Sequence, residues 1–126
     1  MGKYFFTFLF FYSLFLCPKM LLAQDNEVGK AQFLTSCGVC HVVNPADGVR
    51  QGPPLGGIFG KKAGQYPDFK YSETLKSADW VWNTETLDRW IENAQTAHPG
   101  TTMNYRQSDP QKRTLIVNYL KSLSNL

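Results

Sequence analysis

Cys37-Gly38-Val39-Cys40-His41 constrains this chain more than any other stretch. Two thiols separated by two residues can reach the same edge of a flat macrocycle, and a histidine directly after the second is held beneath it. This spacing is the attachment signature of a c-type haem, in which each thiol adds to one vinyl group as a thioether and the imidazole ligates the iron. Five residues recur by chance, so the remainder of the chain has to supply a haem pocket.

At 126 residues and 43% apolar content the chain is expected to form one domain with a core of modest size. The aromatic count is skewed by Phe5, Phe6, Phe8, Phe10, Phe11 and Phe15. They lie in an uninterrupted run of apolar, aromatic and hydroxyl residues from Tyr4 to Leu16, preceded by Lys3 and broken by Pro18. The run is short for a bilayer-spanning helix and reads as a secretory leader, residues 1–23, cut after Ala23. Leu21 stands where a small residue is usual, so an uncleaved membrane anchor is the competing reading. A lipoprotein reading of Cys17 is weaker, because bulky Leu16 precedes it.

Loss of Lys3 and Lys19 with the leader takes two from the 13 basic residues against 10 acidic ones, leaving a net charge of +1. Nucleic-acid binding then lacks the basic stripe that phosphate neutralisation needs. Loss of Cys17 leaves Cys37 and Cys40 as the remaining thiols. His41 and the lack of a βαβ pattern disfavour a redox-active disulfide, and zinc lacks a second ligand pair at suitable spacing.

Hydrophobic periodicity predicts an all-α domain of about four short helices joined by loops. Val28, Ala31, Phe33 and Leu34 mark a first helix from about Glu27 to Cys37, with Asp25 and Glu27 placed near its positive end. From Val42 to Gly64, Pro45, Pro53 and Pro54 together with six glycines predict a compact Ω-type loop rather than a phosphate cradle. Pro53 is positioned to offer its carbonyl to the imidazole N–H and so fix the tautomer that binds iron. Ser72 is expected to cap a short turn through Leu75 and Ser77. Asn83 or Thr84 would cap a helix from about Glu85 to Ala94, with Leu87, Trp90, Ile91 and Ala94 on one face. Trp80 and Trp82 lie between these pieces, and at least one is expected to be a buried packing piece whose indole N–H needs a partner. The last helix is capped by Asp109 with Pro110 at its first position, and Leu115, Ile116, Tyr119, Leu120 and Leu123 form its apolar face.

A second axial ligand has two candidates. Met103 is the one methionine left after the leader, held in the Pro-Gly loop His98-Pro99-Gly100-Thr101-Thr102-Met103, and His98 is the other remaining histidine. Pro99 restricts the residue before it, which favours Met103.

The ordered set Gly29, Phe33, Cys37, Cys40, His41, Gly52-Pro53, Leu55, Gly60, Gly64, Tyr71-Ser72, Trp82, Leu87, Trp90, Pro99-Gly100-Thr101, Met103 and the Leu115 to Leu120 helix resembles the class I c-type cytochromes. It is similar in particular to the mitochondrial cytochrome c and bacterial cytochrome c2 group, and the likeness covers nearly all of residues 24–126. The resemblance implies a cytochrome c fold wrapped around one covalent haem c with its iron. It implies Cys37 and Cys40 as thioether residues, His41 and Met103 as axial ligands, and Pro53 orienting His41. Tyr71 and Trp82 would bond a buried propionate, Lys61 would lie near it, Thr101 would lie on the methionine side, and Trp90 replaces the more usual tyrosine. Phe33 and Tyr119 would meet where the first and last helices cross.

The function implied is that of a monomeric electron carrier rather than an enzyme. It would work in the periplasm with transient partners: a quinol-oxidising complex or dehydrogenase on one side, a terminal oxidase or reductase on the other. No stable membrane insertion is expected once the leader is removed. A peroxidase would need Met103 to dissociate and a distal acid or base, and a haem-based sensor would need an output domain. The family's lysine ring around the haem edge is replaced by Ser36, Gln95, Thr96 and Thr102, which weakens electrostatic steering. Asn104-Tyr105-Arg106-Gln107-Ser108 also departs from the family, losing the glycine after the aromatic and one residue before the last helix.

Overall fold

The computed structural model describes the backbone of residues 18–126 and the side chains of residues 24–126. The leader stretch 1–17, including Cys17, lies outside the described residues. Among the described residues five α-helices follow in order: α1 (Pro18–Ser36), α2 (Glu73–Lys76), α3 (Thr84–Glu92), α4 (Ala94–Ala97) and α5 (Pro110–Ser122). A 3-10 turn, Pro45–Asp47, lies in the long loop. Among the described residues the β structure is limited to an isolated bridge between Lys62 and Val81, so the all-α expectation holds.

Among the described residues the first helix is already formed at Pro18, well before Glu27. Asp25 and Glu27 therefore sit within the helix rather than at its positive end. Its buried face also differs from the expected one. Val28 and Leu34 are exposed, at 48% and 56%, whereas Gly29 and Phe33 are buried. The cause is the crossing with α5. A Cβ at Gly29 would lie 2.9 Å from the Leu115 carbonyl oxygen and 3.0 Å from Tyr119 Cβ, so glycine allows the backbones this close. The same crossing seats Phe33 against Tyr119, with ring centroids 5.4 Å apart, as the resemblance implies.

The expected Glu85 to Ala94 helix is two helices. Asn93 ends α3 in extended geometry and caps α4, its side chain accepting the Thr96 N–H. Asn83 caps α3 through a reciprocal pair, its Oδ1 accepting from Thr86 N–H and Thr86 Oγ1 accepting from Asn83 N–H, each at 2.9 Å. Leu87, Trp90 and Ile91 turn inward, and Ala94 joins them from α4. Ser72 occupies the N-cap position of α2, but its hydroxyl makes no capping bond and is buried without a partner. Asp109 caps α5 by accepting the Gln111 and Lys112 N–H groups, and Ile116, Tyr119 and Leu120 are buried.

One core joins these elements: Phe33 from α1, Leu75 from α2, Leu87, Trp90 and Ile91 from α3, and Ile116, Val117, Tyr119 and Leu120 from α5. The buried Arg113 is an interior charge that periodicity does not reveal. It pairs with Asp88 at 2.8 Å and donates to the Gln107 and Ser108 carbonyls, tying α5 to α3. Among the described residues no helix is long and apolar enough to cross a membrane.

Candidate functional site

The loop after α1 folds back on the cysteine motif. Gly52 N–H donates to Cys40 O at 2.8 Å, and Leu55 and Gly56 N–H donate to Val42 and Val43 O at 2.9 Å. Arg50 donates to Gly38 O, at 2.6 Å, holding the motif from the other side. The result is a cavity of about 590 Å³, within the range of small-molecule and cofactor sites. Its walls are largely apolar, with Leu55, Ile58, Leu75, Leu87, Ile116 and Leu120 among them. Cys37, Cys40, His41, Pro53, Tyr71, Trp82, Thr101 and Met103 all line it. These are the eight site residues named from sequence, drawn together from separate parts of the chain.

His41 Nδ1 lies 2.7 Å from Pro53 O. A carbonyl only accepts, so Nδ1 carries the proton and Nε2 keeps its lone pair. Burial lowers the imidazole pKa, with the bond to Pro53 acting against it, so the ring is neutral and able to ligate. A Cβ at Gly52 would fall within the His41 ring, which is why the backbone passes this flat group as glycine. Burial, with Cys40 beside it, pushes the Cys37 thiol up to about 12. A thiol so reluctant to ionise is poorly suited to thiolate redox chemistry.

Met103 reaches the cavity from the loop after α4. Its Sδ accepts the Trp90 indole N–H at 3.0 Å. Thr101 is 6% exposed, and its hydroxyl accepts the Met103 N–H at 3.3 Å. His98 does not line the cavity; its ring stacks on Trp80 at 3.7 Å and 3°. Burial is the main cause of the lowered His98 pKa, with Arg89 adding to it and Asp79 opposing, which keeps the stacked ring neutral.

Tyr71 accepts the Tyr66 N–H at 3.3 Å, and burial raises its pKa, so the phenol keeps its own proton to donate. Trp82 borders the cavity with its ring edge-on to Trp90 and Trp80. Trp80 does not line the cavity, and its buried indole nitrogen has no partner. Lys61 is likewise outside the wall. Two contacts that shape the site, those of Arg50 and Gln95, are not visible in the sequence. The Gln95 side chain donates to both the Thr101 and Met103 carbonyls, at 2.8 and 2.9 Å. Neither contact has a periodic or motif signal. The Trp90 bond was open to inference, because a buried indole N–H normally finds a partner.

The donor set suits a covalently held haem. Two thiols and a neutral imidazole share one apolar cavity, with the protonated Tyr71 phenol and Trp82 also in its wall. Such donors fit the acidic edge of a porphyrin.

Comparison with known proteins agrees with this geometry. The family model described as Cytochrome c matches residues 27–124. Cytochrome c2 of Rhodopila globiformis is 40% identical over 100 residues, covering 79% of this chain and 93% of that protein. Cytochrome c of Sesamum indicum is 36% identical over 98 residues, covering 77% of this chain and 88% of that one. Among solved structures, cytochrome cH from Methylobacterium extorquens superposes with a TM-score of 0.70 at 32% identity, covering 78% of this chain and 98% of that chain. The chain belongs to the cytochrome c family. Its cofactor is covalently attached haem c with its iron, and the family's members are electron carriers.

Proposed function

We propose that this protein is a soluble monohaem carrier that moves single electrons between periplasmic respiratory partners through a His41/Met103 site. Residues 1–23 would export the chain and be removed, leaving 24–126 as the working domain. Cys37 and Cys40 anchor the cofactor as thioethers. His41 through a ring nitrogen and Met103 through its thioether sulfur would hold the iron.

The observation that carries this reading is the pairing of two prepared donors in one cavity. His41 has its Nδ1 committed to Pro53 O at 2.7 Å, which leaves Nε2 as the ligating atom. Met103 Sδ has one lone pair engaged by Trp90 N–H at 3.0 Å and a second free for the metal. When bound, the haem supplies an iron that gains and loses one electron. The protein's part would be to offer His41 and Met103 to that iron, exclude water with apolar walls and keep the two donors fixed. A neutral thioether joined to an imidazole as the ligand set would favour the reduced iron and raise the reduction potential. Tyr71 and Trp82 are assigned as donors to a propionate, and Thr101 as the residue that orients the methionine loop.

The rim supports transient encounters. Ser36, Gln51, Thr102 and Asn104 line the cavity without charge, and Val39 in the attachment motif is 84% exposed. Such a surface meets a quinol-oxidising complex, dehydrogenase, oxidase or reductase through a small interface with little electrostatic steering.

Replacement of Met103 by Ala tests the ligation. The methionine–iron charge-transfer band of the ferric protein should vanish, and the potential should fall on the order of 100–200 mV, since axial ligands set potentials over a wide range. A spectrum unchanged by Met103→Ala would place the second ligand elsewhere, with His98 the first alternative.

A further inference from the structure

The loop from His98 to Met103 contributes little to the core, and Pro99, Gly100 and Thr102 are exposed. It is nevertheless anchored along its length. The His98 ring lies flat on Trp80, and the Pro99 carbonyl accepts from Thr74 Oγ1 at 2.9 Å. Every polar atom of Met103 has a partner: N–H to Thr101 Oγ1, the carbonyl from Gln95 Nε2, and Sδ from Trp90 Nε1. Gln95 is the residue that grips the loop twice, because its amide also reaches Thr101 O at 2.8 Å. Both partners are carbonyl oxygens, so the amide nitrogen rather than its oxygen must face them. The short helix that carries Gln95 is itself pinned, with Asn93 Oδ1 accepting the Thr96 N–H at 3.2 Å.

We propose that Gln95 is a positioning residue that locks the Met103 loop shut, bridging the Thr101 and Met103 carbonyls so that outside ligands cannot readily displace the methionine sulfur. The proposal rests on Met103 as an axial ligand. The lock works through hydrogen bonds on an exposed side chain, so it can be opened without disturbing the apolar core. Its role in electron transfer is to hold one coordination in both oxidation states. A methionine that swings away would expose an open metal position and convert a carrier into a ligand-binding protein.

The test is an imidazole titration of the ferric holoprotein, followed by loss of the methionine–iron band. Gln95→Glu keeps the shape but replaces both N–H donors with oxygens facing carbonyls. Imidazole should then bind about tenfold more tightly, the scale expected for two modest hydrogen bonds. Gln95→Arg restores donors on a long stem and should return the affinity to within about threefold of the native protein. The thermal midpoint of each variant is measured in parallel. Native affinity in Gln95→Glu would overturn the lock, as would a gain fully matched by loss of global stability. A native protein with no methionine–iron band would remove the ligation reading and the lock together. A native band with unchanged imidazole binding in Gln95→Glu would remove the lock alone.

Discussion

The two sides of the cavity are built by different means. The attachment motif continues directly from α1, with Cys37 N–H donating to Phe33 O at 2.7 Å and His41 N–H to Cys37 O at 2.9 Å. That helix is clamped to α5 by the close approach at Gly29 and by Phe33, which is 1% exposed. The opposite side, around Met103, is a loop held by hydrogen bonds from Trp90, Gln95, Thr101 and Thr74. Packing of the first kind is cooperative with the whole fold, whereas bonds of the second kind fail locally. Damage to the His41 side should therefore unfold the protein, and damage to the Met103 side should change coordination in a protein that stays folded.

Phe33→Ala probes the packed side and should have the largest effect. Truncating a buried phenylalanine costs about 3–5 kcal/mol. Denaturant unfolding should show that loss, with the methionine–iron band disappearing only as the protein unfolds. Loss of the band well before the global transition would break the comparison.

Trp90→Phe probes the hydrogen-bonded side with a smaller effect. It keeps an aromatic ring beside Met103 while removing the N–H to Sδ. With Met103 as an iron ligand, a sulfur freed of that donor would give more density to iron and stabilise the oxidised state. The potential should fall by about 20–60 mV, the scale of one hydrogen bond on a one-electron couple. A redox titration matching the native protein would show that the iron does not sense this bond.

The parts of the molecule legible in the sequence share a local cause. Asp109-Pro110 announces α5, Asn83 announces α3, and the Cys37 to His41 motif announces the site, because capping and thioether attachment depend on short spacings. Pro53 and Met103 were candidates from their loops and spacing, whereas Tyr71, Trp82 and Thr101 became assignable only through the family resemblance, and the fold brings all five to one cavity. The buried face of α1 was misread because Val28 and Leu34 score as apolar, while the true contact is made through Gly29, which has no side chain to score. Ser72 looked like a cap, yet its hydroxyl makes no capping bond and is buried unpartnered. Gln95 and Arg50 act on backbone carbonyls far along the chain, and no residue pattern encodes a carbonyl's direction.

If His41 and Met103 both hold the haem iron, as proposed, no position is left open for an outside ligand, as a carrier requires. Rapid mixing of the reduced holoprotein with carbon monoxide tests it most directly. Slow binding is expected, with a rate that levels off as carbon monoxide rises because it is limited by release of Met103. Fast binding that increases linearly with carbon monoxide concentration would reveal an open iron position and contradict it.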